Sequence, residues 1–75
     1  MSPEEFRKKK LIKDIVDNPY FLPAVDDIRD ELALKMLHTE KEEDRQKLFS
    51  EAQALRSLIG RFTAIANEVR MINAA

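Results

Sequence analysis

The sequence predicts an all-α protein: an antiparallel helical hairpin with a long C-terminal helix, joined by a shorter N-terminal helix and completed by oligomerisation. Three observations predict it. The 75 residues contain one Gly and three Pro, and the prolines (Pro3, Pro19 and Pro23) all fall in the first third. Ala, Leu, Glu, Lys and Arg, the strong helix formers, dominate the remainder, and β-branched residues never alternate as a strand requires. The last thirty-odd residues carry an apolar repeat of heptad spacing, and nothing in them breaks a helix except Gly60.

Helix 1 is expected over about 3–17. Ser2 suits the N-cap, Pro3 suits the first helical position, and Glu5 completes a capping box. Phe6, Leu11, Ile12, Ile15 and Val16 form a modest apolar stripe opposite Arg7, Lys8, Lys9, Lys10 and Lys13. Asn18-Pro19 ends the helix, because the residue before a proline avoids helical geometry.

Helix 2 is expected over about 19–38, opened either by Pro19 behind an Asn18 cap or by Pro23 after a short connector. Tyr20 and Phe21 are expected to anchor this corner on the core. Val25, Ile28, Leu32 and Met36 then recur at helical spacing, with Asp26, Asp27, Asp30 and Glu31 on the outer face.

Helix 3 is expected over about 40–72, opened by a second capping box from Thr39 to Glu42. At 1.5 Å per residue it is about 50 Å long. Leu48, Ala52, Leu55, Ile59, Phe62, Ala66 and Val69 follow steps of four and three. Leu55, Leu58, Phe62, Ile65, Val69 and Ile72 make a second, overlapping series. Two apolar seams need two covers. Helix 2 is too short to span helix 3, and the stripe on helix 1 is weak. The expected interface with another copy or a larger protein is therefore Leu55, Leu58, Ile59, Phe62, Ile65, Val69 and Ile72.

A single domain, residues 1–75, is all that this length allows, and its core is marginal without a staple. With no Cys, disulfides and thiolate metal sites are excluded, which leaves helix packing or self-association. No apolar run approaches a membrane span, the start lacks the order of a signal peptide, and a cytoplasmic location is expected.

Net charge is −1 but unevenly spread: +2 over residues 1–16, −6 over 17–44 and +3 over 45–75. The basic group Arg7, Lys8, Lys9, Lys10 and Lys13 can contact nucleic-acid phosphate, or be a solvated face beside acidic helix 2. The balanced total favours the solvated face. Asp26, Asp27, Asp30 and Glu31 can present an anionic surface to a target, or simply be solvated; their spacing matches no calcium loop. His38 suits a helix C-terminus better than proton transfer. Gly60 can permit close helix approach or be a plain surface residue. Ser50, Ser57 and Thr63 have no His or Cys partner. No catalytic residue, cofactor or metal is expected.

The corner Asn18-Pro19-Tyr20-Phe21, an acidic helix, the charged turn Thr39-Glu40-Lys41-Glu42-Glu43-Asp44, then Leu55-Arg56-Ser57-Leu58 and Ile65-Ala66-Asn67-Glu68 resemble small all-helical bacteriophage proteins of virion-assembly gene clusters. The resemblance covers roughly residues 15–70. It implies a phage origin, a place in the host cytoplasm or virion, and a role bound to a capsid, portal or tail component or to a host enzyme. In size the hairpin also resembles plasmid-copy-control helical hairpin dimers, but the basic residues do not reproduce that group's RNA-binding face. Three functions are open: an assembly module using helix 3, an inhibitor of a host protein using the acidic face, and a nucleic-acid binder using the basic helix.

Overall fold

The computed structural model describes residues 1–74 and contains three helices: α1 (Pro3–Asp17), α2 (Phe21–His38) and α3 (Glu42–Ala74). Among the described residues there is no strand, and the contacts fit a helical bundle.

The start of α1 follows from its sequence. Pro3 opens the helix, and the Ser2 hydroxyl accepts from the Glu5 N–H at 3.2 Å. The corner after α1 combines the two expected alternatives. The Phe21 N–H donates to the Asn18 carbonyl at 3.1 Å, with Pro19 and Tyr20 at the two central positions of the turn. Tyr20 sits at φ −96°, ψ −9°, the third position of a type I turn. The Asn18 side chain accepts from the Tyr20 N–H at 2.9 Å, which locks the turn. Pro19 therefore belongs to the turn, while Pro23 lies in the first turn of α2, where a missing N–H costs nothing. Phe21 reaches the core and stacks on Phe62, with ring centroids 6.2 Å apart. Tyr20, expected beside it, is 80% exposed: it occupies the outer point of the turn.

The second corner differs from expectation in its chemistry. The Thr39 hydroxyl donates to the Lys35 carbonyl, so it serves the end of α2 rather than the start of α3. The Thr39 carbonyl accepts from the Arg45 guanidinium at 2.9 and 3.3 Å, which ties the two helices at this end. Glu42, Glu43 and Asp44 fill the first turn of α3, where the helix dipole favours acids.

α3 runs unbroken through Gly60. α2 meets it at Phe62 with its first residue and at Arg45 with its C-cap, so α2 covers the first half of α3. α1 covers the second half and packs on α3 more extensively than α2 does. α1 and α2, of 15 and 18 residues, together match the 33 residues of α3. The core is small. Val25 and Leu32 are buried on α2, and Ala66 and Val69 on α3 are fully buried. The remaining heptad residues, Leu48, Ala52, Leu55, Ile59 and Phe62, are half-buried.

Candidate interaction surface

The seam steps of four and three place Leu48 through Val69 on one face of α3, and that face is the one covered by α1 and α2. Seven residues assigned to an interface from the sequence thus separate into three groups. Val69 has no exposed surface and belongs to the internal core, because α1 lies over it. Leu55, Ile59 and Phe62 are half-buried on the packed face itself, and Ile65 is half-buried beside it. Leu58 and Ile72 remain open, at 49% and 45% exposure. At about 100° per residue, Leu58, Ile65 and Ile72 fall on a line roughly a quarter-turn from the seam that α1 and α2 cover.

The opposite flank carries a groove between α2 and α3. Ala33 and Met36 face Phe49 and Ala52 across it, with Arg29 and Arg56 on its rim. Phe49 is 52% exposed there. Little in the sequence signals this groove: Phe49 stands outside both apolar series of helix 3, Ala33 stands outside the stripe of helix 2, and only Met36 belongs to that stripe.

Two ion pairs clasp α1 onto α3. The Lys9 Nζ lies 2.8 Å from a Glu68 carboxylate oxygen, and the Arg70 guanidinium bonds Asp17. Glu68 and Arg70 flank Val69 in the sequence and lie on opposite sides of it around the helix, so the pairs bracket the largest fully buried side chain among the described residues. Asp17 also accepts from Lys13 at 2.7 Å. These bonds, Lys13 first and Arg70 second, hold its carboxyl below the usual carboxylate range. No sequence motif announces this clasp, since Asp17 and Arg70 are 53 residues apart.

The basic group is divided by the fold. Lys9 and Lys13 turn inward, with side chains 30% and 22% exposed, and each is bound to a carboxylate. Lys8 lies 3.8 Å from Glu4. Arg7 and Lys10 are exposed with no carboxylate within 4 Å among the described residues. The acidic face is divided likewise: Asp26 lies 3.8 Å from Arg29 and Glu31 lies 3.6 Å from Lys35, while Asp27 and Asp30 have no such partner among the described residues. All four acids are exposed. Around Gly60 an added Cβ would meet nothing within 4 Å, so Gly60 serves no close approach within the chain. His38 is the last residue of α2 and is exposed. Among the described residues, no three His, Cys, Asp or Glu side chains cluster as metal ligands would, and no helix is long and apolar enough to cross a membrane.

The fold and surface define the class: an all-helical protein with a thin core and open apolar flanks. Comparison with known proteins finds no matching family model, curated protein or solved structure.

Proposed function

We propose that this chain is a self-associating, non-enzymatic protein–protein interaction module. In this reading α2 and α3 form an antiparallel hairpin, α1 folds onto α3, and the apolar surface left on α3 is completed by other protein. The observation that carries it is area. The chain exposes 6090 Å². A compact monomer of its 8.7 kDa exposes about 4,700 Å². The excess, about 1,400 Å² per chain by that relation, is what an obligate subunit interface removes from water. The radius of gyration agrees: 16.1 Å, against about 11 Å for a compact domain of this length.

The resemblance to phage proteins extends the reading to a small assembly protein that docks on a larger capsid, portal or tail component. The acidic-face inhibitor and the basic-helix nucleic-acid binder have less support, because half of the first group and most of the second are engaged by charges of their own chain. Sedimentation equilibrium over about a hundredfold range of concentration tests the proposal. The expected result is a mass that rises above the monomer. A monomer at every concentration overturns it.

A further inference from the structure

Resting on the proposal that the chain self-associates, we infer that the second copy packs antiparallel along the line Leu58–Ile65–Ile72 of α3, with the two-fold axis near Ile65. Three features carry this. The first is spacing. Ala54, Leu58, Arg61, Ile65, Glu68 and Ile72 are separated by four, three, four, three and four residues, the step of a second heptad seam. Its apolar members are open or half-buried.

The second is direction around the helix. This line is rotated by roughly 90° from the seam that α1 and α2 cover. A helix lying on it becomes the adjacent member of a four-helix bundle, in which neighbours subtend that angle. The open side of α2 continues the patch: Arg29, Ala33 and Met36 mark the groove flank, and Ile28, 48% exposed, leaves α2 on the other.

The third is charge, and it fixes the orientation. In an antiparallel pair centred on Ile65, Leu58 meets Ile72 of the second copy, Ile65 meets itself, and Arg61 falls within reach of the second copy's Glu68. In a parallel pair, Arg61 faces Arg61 and Glu68 faces Glu68, and like charges opposed across an interface are destabilising. Arg61 is available for this role: no carboxylate lies within 4 Å of it among the described residues, and the Glu68 side chain remains 44% exposed while holding Lys9.

The chain has no cysteine, so single cysteines report the geometry directly. Ile65→Cys is expected to form an interchain disulfide under mild oxidation. Leu58→Cys alone is not, since two copies of position 58 lie about 21 Å apart in this arrangement, far beyond disulfide reach. Leu58→Cys mixed with Ile72→Cys is expected to cross-link. A second measurement needs no cysteine. Arg61→Glu alone and Glu68→Arg alone are each expected to dimerise at least about tenfold more weakly than the original chain. A mixture of the two is expected to form a heterodimer, because both cross-chain contacts between positions 61 and 68 then pair an acid with a base again. Gly60→Ala, on the far side of α3, is expected not to weaken association. An oligomer that self-cross-links at Leu58→Cys, or that joins through Phe49→Cys in the groove, overturns the seam and leaves self-association standing. A mixture of the charge variants that stays monomeric while hydrogen exchange shows α1 still folded on α3 also overturns the seam. A monomeric original chain overturns both.

Discussion

Asp17 accepts from Lys13 on its own helix and from Arg70 on α3, and both bonds favour the ionised carboxyl. Its pKa is therefore lower folded than unfolded. A group shifted in that direction contributes stability above its unfolded pKa of about 3.9, and the contribution is lost as pH falls through the lower folded value. Asp17→Asn is expected to flatten the loss of stability below about pH 4, measured as melting temperature against pH, and to leave the slope near neutrality unchanged. Gly60 offers the opposite kind of test. It lies mid-helix with open space where a Cβ would go and no positive φ. Gly60→Ala is expected to stabilise by up to about 1 kcal/mol in thermal or urea unfolding.

At the scale of elements, the breaks were legible and the division of packing was not. Ser2-Pro3, Asn18-Pro19 and Thr39 mark where helices start and stop, because caps and prolines act through local backbone chemistry. What no local rule supplies is which helix covers which half of α3. α1 looks weak because an apolar count treats Lys9 and Lys13 as polar. In the fold their side chains are only 30% and 22% exposed while their ammonium ends reach carboxylates, so two lysines help build an inward face. Val69 reads as part of an outward seam for the same reason: the pattern hides the cover that removes it from solvent. The remaining clue is Ala66, fully buried and small enough to let α1 approach. Ala66→Leu is expected to displace α1 and cost about 1–3 kcal/mol, with hydrogen exchange rising across residues 3–17 more than across α2.

For the whole molecule, the relevant quantity is surface left over. A body of 52 × 23 × 16 Å with four buried apolar residues among those described has little interior on which to stand alone. If association completes it, folding and association share one equilibrium. A tenfold dilution then removes about 1.4 kcal/mol of association free energy, and the melting temperature falls by several degrees. A calorimetric midpoint independent of concentration would contradict that coupling. The site was legible only in outline: spacing exposed two seams, but which one faces inward depends on α1, and the Phe49 groove depends on how α2 leans against α3.

Among the described residues no polar side chain is buried, so inside the molecule the lengthwise position of one helix on another is set by shape, the Phe21 ring stacked on Phe62 included. Ionic fasteners at the rim, Lys9 with Glu68 and Asp17 with Arg70, add to that alignment. Such fasteners weaken as salt rises, so the hold of α1 on α3 is expected to loosen in concentrated salt, while the turn at Asn18 and the Phe21–Phe62 stack keep the start of α2 in place.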